Sequence, residues 1–340
     1  MPASVWSPEH STSHSQIRWG ILGTARIARR LVPAIQASHN GEVIAVASRD
    51  PDRARTFARE YAIPRAYGDY DALLADPDVD AVYIPLPNHL HKPWTIRALA
   101  AGKHVLCEKP MALNAREAEE MAAAAREHGR LLMEAVMYRF HPRIEQAVAL
   151  LRSGAIGSPT VVRSTFTFQY YDPQDYRFSP EMGGGALMDV GVYCITAARL
   201  MLGAEPDFVA ARATFDEDTG VDMTESVVMG FPRGRMATFV SSFALAPHAS
   251  IEVLGPAGSL YIPEPWVPGD RALPLILRHN GEEEHIPAPA ADHYQRMVEH
   301  FGDAVLGRTS LRYPPEDAVA TLRVVDMIKA VWKTHSGRLP

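Results

Sequence analysis

The stretch Gly20-Ile21-Leu22-Gly23-Thr24-Ala25-Arg26-Ile27-Ala28 decides the fold of this chain. An apolar run that begins at Ile17 leads into it, and Leu31 and Ile35 follow it at helical spacing. This pattern predicts a buried strand, a tight turn and a helix. In the turn, small residues take the G-x-G-x-x-G/A register, in which the backbone approaches a pyrophosphate at a helix N-terminus.

The turn is therefore predicted to bind a dinucleotide, and the residues expected to hold it are Gly23, Thr24, Ala25, Arg26 and Ile27. Alanine at position 25 departs from the stricter form of the motif, which has a second glycine there. A tight packing turn with no ligand is the alternative interpretation of the same residues.

The end of the second predicted strand, Ser48-Arg49-Asp50, indicates which dinucleotide is bound. An acidic residue at this position suits a free ribose 2′-hydroxyl, whereas arginine suits a 2′-phosphate. Asp50 is better explained as the N-cap of the next helix, which starts with Pro51. We therefore predict NADP rather than NAD, bound with the help of Ser48, Arg49 and Arg53. A solvated surface arginine at position 49 is the alternative.

The first half of the chain alternates strand and helix patterns. Further strands are predicted at residues 79–85, 104–107 and 131–136, with helical patterns between them. Five or six strands in this order predict a doubly wound parallel sheet of the Rossmann type. We assign residues 16–140 to this NADP-binding domain and residues 1–15 to a loose tail that lacks the features of a signal peptide.

The second half has long period-two runs, such as those at residues 160–170, 225–231 and 236–243. Such alternation predicts a large, mostly antiparallel sheet with one open face. Helices are expected at residues 143–152, 186–202, 291–305 and 315–335. Residues 141–340 are therefore predicted to form an α+β domain for substrate binding and oligomerisation.

Composition excludes several classes of protein. The chain has 340 residues, of which 47% are hydrophobic and 22% charged, a balance that supports a large core. Its net charge of −6 gives no basic surface for nucleic acid or an anionic membrane. Cys107 and Cys194 lie in apolar runs and are expected to be buried thiols. No apolar run is expected to reach the length of a membrane span.

Lys109 is a candidate catalytic residue. It lies in Glu108-Lys109-Pro110, directly after the strand predicted at residues 104–107. The carboxyl ends of parallel strands face the crevice in which such sheets bind ligands. A cation there can take part in proton transfer, whereas an exposed lysine that merely ends a strand is the alternative.

The segment Gly183-Gly184-Gly185-Ala186-Leu187-Met188-Asp189-Val190-Gly191-Val192-Tyr193 supplies two further candidates. Asp189 and Tyr193 are four residues apart and therefore share one helix face, next to an apolar stripe. We predict that Asp189 binds substrate and that Tyr193 exchanges a proton. A phenol with a pKa near 10 needs a neighbouring cation for this at neutral pH, and Lys109 is the expected one. A polar surface face is the alternative.

Weaker clusters follow other predicted strands. Pro87, Asn88 and His91 come after the strand at 79–85 and are predicted to bind cofactor, together with Glu108 and Lys109; an ordinary polar loop is equally consistent. Tyr138, Arg139 and His141 come after the strand at 131–136 and are predicted to bind substrate. No set of His, Asp and Glu has convincing metal-ligand spacing, so no metal is assigned.

Together these segments resemble the glucose–fructose oxidoreductase, inositol dehydrogenase and rhizopine-catabolism family, abbreviated Gfo/Idh/MocA. The resemblance extends from Trp19 to about Lys333, and the Glu108-Lys109-Pro110, Asn88-His89 and triple-glycine segments occur in family order. It implies a tightly held nicotinamide cofactor, a catalytic role for Lys109 and a substrate-side carboxylate at Asp189. Tyrosine at position 193, where many members have histidine, is similar to the branch of NADP-dependent D-xylose and dihydrodiol dehydrogenases.

The resemblance implies an NADP-dependent oxidoreductase that transfers a hydride between nicotinamide and a sugar or cyclic polyol carbinol. The preferred hypothesis is a D-xylose-like aldose 1-dehydrogenase. Alternatives are a trans-dihydrodiol dehydrogenase, a 1,5-anhydrofructose-type sugar reductase, a sugar–sugar oxidoreductase and a non-catalytic NADP-binding sensor. Substrate choice is expected from the loop at residues 169–183, where Tyr170, Tyr171, Asp172, Tyr176 and Arg177 are contact or packing residues.

The expected partners are a small sugar or polyol and further copies of the same chain. The alternating strands of the second half predict an exposed sheet face, which favours a homodimer or homotetramer. Nucleic acid and membrane are not expected as partners, and the protein is expected to be cytoplasmic.

Overall fold

Six short strands form the first sheet. The computed structural model describes residues 15–269 and 271–336, so the assigned tail of residues 1–15 lies outside it except for Ser15. The strands are β1 Ile17–Leu22, β2 Gly41–Ala47, β3 Arg65–Tyr67, β4 Ala81–Ile84, β5 His104–Cys107 and β6 Leu132–Glu134. Across the sheet they run β3-β2-β1-β4-β5-β6, and every neighbouring pair is parallel. This is the strand order of a Rossmann sheet, with its topological switch point between β1 and β4.

Five helices connect these strands, and side-chain caps set where three of them start. Asp50 accepts from the Asp52 N–H at 2.9 Å ahead of Pro51, which confirms the predicted cap. Asp69 accepts from the Ala72 N–H at 2.7 Å, and Asn114 accepts from the Glu117 N–H at 3.0 Å. The helices are α1 Ala28–Ala37, α2 Pro51–Glu60, α3 Tyr70–Leu74, α4 His91–Ala100 and α5 Ala115–Glu127.

Eight described strands form the second sheet. They are β7 Val161–Thr167, β8 Phe208–Phe215, β9 Asp222–Phe231, β10 Arg235–Ser242, β11 His248–Gly255, β12 Gly258–Pro263, β13 Leu275–His279 and β14 Glu282–Ile286. Across the sheet they run β14-β13-β12-β11-β7-β10-β9-β8. Only the β7–β10 pair is parallel among these described strands, which confirms the predicted, mostly antiparallel sheet.

Four more helices complete the described chain: α6 Pro142–Arg152, α7 Val192–Leu202, α8 His293–Val305 and α9 Pro315–Ser336. The last two pack against the first sheet's helices. Asn40 Nδ2 donates to Asp303 Oδ1 of α8 at 2.9 Å, and the Ala115 N–H donates to Asp326 Oδ2 of α9 at 3.0 Å. The end of the chain therefore joins the two sheets into one body.

The segment before α7 is a π-helical turn, Leu187–Gly191, rather than a continuous α-helix. The whole stretch Pro180–Leu202 has the length and apolar composition of a membrane span, and nearly all of it is buried inside the fold. The expectation that no run reaches this length is therefore wrong for this stretch, whose helical part lies in the core of the described chain. Cys194 within it, and Cys107 of β5, are both buried and free, as predicted.

Candidate functional site

Gly23 closes the turn between β1 and α1. Its φ of 117° lies in the region that favours glycine, and its N–H donates to Ala47 O at 2.9 Å. A Cβ at this position would lie 3.0 Å from Leu86 Cδ2. Ala28, the third small residue of the motif, is fully buried and allows α1 to pack on the sheet. The small residues at positions 23 and 28 are thus explained by the close packing of this turn and of α1 against the sheet.

The N-terminus of α1 is open to an anion. Ile27 precedes the helix without a side-chain cap, and the first turn carries no acidic residue. Within the described chain, the backbone N–H groups of residues 24–27 donate to no protein acceptor. Unpaired N–H groups and the helix dipole favour negative charge here. The turn therefore fits the pyrophosphate of a dinucleotide.

Beside this turn lies a cleft of about 470 Å³ at the ends of β1, β2 and β4. Arg49 and Arg53 project into it near the buried Ser48. Asp50 is the one acidic residue among the described residues that line this cleft, and its carboxylate caps α2. Two guanidinium groups without a competing free carboxylate suit a ribose 2′-phosphate. The cleft is lined by Gly23, Thr24, Ala25, Ser48, Arg49, Asp50, Arg53, Tyr70, Pro85, Leu86 and Pro87.

A larger cavity of about 630 Å³ lies between the two sheets. It shares Ala25 and residues 85–87 with the first cleft, so the two are adjacent. Its walls come from both domains. They are formed by Ala25, Arg26, Ile27, Arg30, Pro85, Leu86, Pro87, Asn88, Glu108, Lys109, Met137, Phe166, Phe168, Asp175, Tyr176, Arg177, Asp189, Val190, Tyr193, Val267 and Tyr294.

Lys109, Asp189 and Arg177 form a line of charges along one wall. Lys109 Nζ donates to Asp189 Oδ1 at 2.8 Å and to Asp189 O at 2.7 Å. Arg177 Nε donates to Asp189 Oδ2 at 2.9 Å. Burial alone raises the pKa of Asp189, but the two cations outweigh it and hold the pKa at about 2. Asp189 is therefore a fixed carboxylate with both oxygens engaged.

Tyr193 lies one helical turn beyond Asp189. Lys109 Nζ is 5.1 Å from its ring centroid, over the face of the ring, and the hydroxyl donates to Met137 Sδ at 3.4 Å. Burial, followed by the Tyr294 and Glu108 groups, raises the pKa of Tyr193 well above its ordinary value. The cation thus contacts the ring rather than the hydroxyl, and the phenol is protonated at neutral pH.

Two of the predicted cofactor residues connect the site to its surroundings. Asn88 Nδ2 donates to Gly183 O at 2.8 Å, which joins the turn after β4 to the triple-glycine segment. Glu108 accepts from Tyr83 OH at 2.5 Å, and burial raises its pKa. Both side chains line the cavity next to Pro87 and Lys109.

His91, in contrast, is absent from the cavity wall. Its ring is fully buried, with Nδ1 at 2.8 Å from Pro110 O and Nε2 at 2.7 Å from Leu86 O. It ties the turn after β4 to the turn that carries Lys109. His91 therefore holds these two turns together and does not make the cofactor contact expected from sequence.

Tyr138, Arg139 and His141 lie behind the cavity and not in its wall, contrary to the expectation that they hold substrate. The Tyr138 hydroxyl is 3.0 Å from Thr196 Oγ1, and Arg139 pairs with Asp317. His141 caps α6, with Nδ1 accepting from the Arg143 N–H at 3.1 Å. A four-residue 3-10 turn after β6, Met137–Phe140, directs these side chains into the core.

Several residues of the cavity wall belong to no sequence motif. Arg30 belongs to α1, Phe166 and Phe168 come from β7 and its end, and Tyr294 lies in the first turn of α8. Arg177 is one of five loop residues for which the sequence left contact and packing roles open, and its pairing with Asp189 gives it a place in the site. Only the fold brings these distant segments to one place, although the period-two pattern of β7 does set Phe166 and Phe168 on one face.

Comparison with known proteins gives matches over most of the chain. The family model described as "Oxidoreductase family, NAD-binding Rossmann fold" matches residues 17–136, and the model described as "GFO/IDH/MocA C-terminal domain" matches residues 144–261. The chain is 42% identical to D-xylose 1-dehydrogenase (NADP(+)) 2 of Haloferax volcanii, over 91% of this chain and 95% of that protein.

Two further relatives are similar at comparable levels. Trans-1,2-dihydrobenzene-1,2-diol dehydrogenase of Mus musculus is 38% identical over 80% of each chain. The crystal structure of KijD10, a 3-ketoreductase from Actinomadura kijaniata in complex with NADP and TDP-benzene, superposes with a TM-score of 0.88 at 36% identity, covering 93% of this chain and 97% of that one.

Proposed function

The chain belongs to the GFO/IDH/MocA oxidoreductase family, and from that premise we propose that it is an NADP-dependent dehydrogenase that oxidises a free cyclic aldose of the D-xylose class at C1. As a member of this family it is an NAD(P)-dependent oxidoreductase acting on sugar-type CH–OH groups. The choice of NADP, of an aldose and of the oxidative direction is the proposal.

One observation carries it: the Lys109 ammonium lies between the Asp189 carboxylate and the Tyr193 ring in a cavity adjacent to a dinucleotide cleft. A proton-exchanging group, a fixed cation and a carboxylate are thus placed where the carboxyl ends of Rossmann strands open. A protein that only binds the dinucleotide has no need for this arrangement.

Residues of this chain would hold NADP at two points. The unpaired N–H groups of residues 24–27 would bind the pyrophosphate, and Arg49 and Arg53 would bind the 2′-phosphate. When bound, NADP supplies the hydride acceptor, and its reduced form the donor. The cavity next to the cleft positions the reacting carbon, since orientation is a large part of catalysis in such sites.

Proton transfer falls to Tyr193. In reduction, the protonated phenol gives its proton to the carbonyl oxygen of the substrate. In oxidation, Tyr193 first releases its own proton to solvent, and the phenolate then receives the proton of the substrate hydroxyl. The Lys109 ammonium over the Tyr193 ring stabilises the negative charge of the phenolate, and Asp189 keeps that ammonium in place. Burial of the site strengthens each of these electrostatic effects.

The cavity wall supports a neutral cyclic substrate. Phe166, Phe168 and Tyr176 present aromatic surface, which packs against the apolar C–H face of a sugar ring. The carboxylates of Asp175 and Asp189 are both paired with Arg177. The 42% identity to a D-xylose dehydrogenase favours an aldopentose within this class.

A second candidate, reduction of a sugar ketone, rests on the raised pKa of Tyr193. A phenol that stays protonated at neutral pH is ready to donate, which favours the reductive direction. The similarity to a 3-ketoreductase supports the same candidate, and Val267, which is 49% exposed in the cavity wall, offers apolar surface for a larger substituent on the sugar.

The test is turnover, followed by the near-ultraviolet absorbance of reduced nicotinamide. Purified protein is mixed with NADP or NAD and a panel of aldoses, trans-dihydrodiols and sugar pairs, and separately with NADPH and sugar ketones or 1,5-anhydrofructose. The proposal expects the highest kcat/KM with NADP and an aldopentose. Higher kcat/KM with a diol, or with NADPH and a ketone, assigns the protein to that alternative. NADP binding without any turnover supports a sensor.

We also infer that copies of the chain associate through the outer face of the second sheet. Phe208, Val228 and Met236 lie on that face of β8, β9 and β10, and each is at least 41% exposed. Exposed apolar patches of this kind mark protein contacts. Light scattering is expected to give a dimer or tetramer that Phe208→Ser with Met236→Ser dissociates; a wild-type monomer contradicts the inference.

A further inference from the structure

Arg143, in the first turn of α6, is a buried cation with no described carboxylate bonded to its guanidinium group. The residue is 1% exposed, and Nη2 donates to Glu264 O at 2.7 Å. Within the described residues, Nε and Nη1 have no hydrogen-bond partner. Burying a charged group without a counter-charge is costly, and buried donors without acceptors are rare in native proteins.

The carboxylates around this position are committed to other cations. Glu264 pairs with Arg271, with a 3.1 Å contact between Nη1 and Oε1. Glu145 pairs with Arg312 and, at 3.4 Å, with Arg296. No described carboxylate therefore neutralises the Arg143 guanidinium directly.

Two buried histidines add further unmet hydrogen bonds. His141 and His293 are 1% and 4% exposed, and their ring centroids are 6.0 Å apart. His141 Nδ1 accepts from the Arg143 N–H, so in the neutral ring Nε2 carries the proton, and this donor has no described partner. Neither ring nitrogen of His293 has a described partner.

Burial lowers the pKa of His141 to about 4 and that of His293 to about 3, so neither ring is charged at neutral pH. The cluster of Arg143, His141 and His293 then consists of a guanidinium with two free donors, an imidazole donor beside it and a second imidazole one ring away. Its members supply several hydrogen-bond donors without a described partner, and none of them is a carboxylate.

We propose that a small inorganic anion of chloride size binds in this cluster, held by Arg143 Nε and Nη1 and by His141 Nε2. This anion site is separate from the proposed enzyme function, since none of Arg143, His141 and His293 lines the catalytic cavity. The cluster is connected to the catalytic cavity through two contacts. Arg143 donates to the backbone oxygen of Glu264, and Trp266, two residues later, packs against Tyr193 with ring centroids 5.8 Å apart. The anion therefore stabilises the wall behind the catalytic tyrosine.

The first test is thermal unfolding in sodium chloride against sodium gluconate at equal ionic strength. The wild type is expected to unfold at a higher temperature in chloride, since a ligand that binds only the folded state stabilises it. Arg143→Met is expected to lose the difference. Arg152→Met, an exposed arginine of the same helix, is expected to keep it. Equal responses of all three proteins overturn the proposal.

The second test does not depend on a variant that folds. Wild-type crystals grown in sodium bromide are measured at the bromine absorption edge. The proposal predicts an anomalous peak within hydrogen-bond distance of Arg143 Nε or Nη1. Ordered water at these donors, with no anomalous signal, overturns it.

Discussion

Lys109 and Asp189 meet through two oxygens of one residue, since Nζ donates to both the carbonyl oxygen and Oδ1 of Asp189. Lys109 lies two residues after the end of β5 in the parallel sheet, and Asp189 lies in the π-helical turn of the second domain. The contact therefore fixes the ammonium across the domain boundary. Tyr193 follows four residues later and places its ring under the same ammonium.

Replacing Tyr193 tests the proton-transfer role. Tyr193→Phe is expected to lower kcat by about 10²–10⁴-fold, the usual contribution of general acid–base catalysis. Stability should change little, because the hydroxyl contacts only Met137 Sδ among described atoms. Steady-state kinetics and thermal unfolding of the variant measure the two effects.

Tyr138→Phe is the matched control for this change. Tyr138 packs against Tyr193 with ring centroids 5.8 Å apart, yet its hydroxyl is directed to Thr196 and away from the cavity. The control is expected to retain most of its activity. Equal losses in the two variants would show that packing, and not proton transfer, explains the effect.

Removing the Lys109 ammonium is expected to reduce kcat by about 10²-fold or more, because it stabilises charge in a water-poor site. Lys109→Met retains most of the side-chain length, so the cavity keeps its shape. Lys92→Met on α4 serves as the control, because it removes a cation that pairs with Glu120 of α5. Full turnover of Lys109→Met with a confirmed substrate would refute the assignment.

Arg49 is predicted to select NADP. Arg49→Ala is expected to raise KM for NADP by about tenfold or more, the value of a lost charge-assisted hydrogen bond, and to leave KM for NAD nearly unchanged. Arg55→Ala on α2, an exposed arginine paired with Asp52, is the control. If the two variants show the same KM for NADP, Arg49 is only a surface residue.

Much of the fold was predictable from local patterns. The apolar runs at Ile17 and at His104–Cys107, and the caps at Asp50 and Asn114, are local signals that the structure confirms. Strand β3 has three residues and α3 only five, too few for a periodic pattern to show. The order of the larger elements in the first half was therefore predictable, whereas β3 and α3 were missed; β6 also has three residues, but it lies within a longer apolar run.

The candidate site was predictable in part. Lys109, Asp189 and Tyr193 each follow a local signal, and the structure brings the three together. Tyr138 and His141 also follow a strand, but a 3-10 turn reverses the direction of their side chains, which spacing alone does not reveal. Tyr294 reaches the cavity because α8 packs back on the first domain, a long-range contact without a sequence signature.

Glu134, at the end of β6, is expected to make stability depend on pH. Burial raises its pKa from 4.5 to about 7, although it accepts the Met111 N–H at 2.7 Å. The folded state therefore binds the proton more tightly than the unfolded chain, and the stability gained below pH 4.5 is lost as pH rises to about 7.

Glu134→Gln keeps an oxygen for Met111 and cannot ionise, so its unfolding free energy should not show this loss. Above pH 7 the variant is expected to be more stable than the wild type by up to about 3 kcal/mol. Urea unfolding at several pH values measures the difference. Glu42→Gln, on an exposed position of β2, should follow the wild type; a Glu134→Gln curve parallel to the wild type would contradict the prediction.

The most direct measurement of the central claim follows the hydrogen that is transferred. The protein is incubated with NADP and D-xylose that carries deuterium at C1, and the nicotinamide product is analysed by mass spectrometry. The account predicts reduced nicotinamide that carries the deuterium, and almost none from the Tyr193→Phe variant. Reduced nicotinamide without deuterium, or equal yields from both proteins, would contradict it.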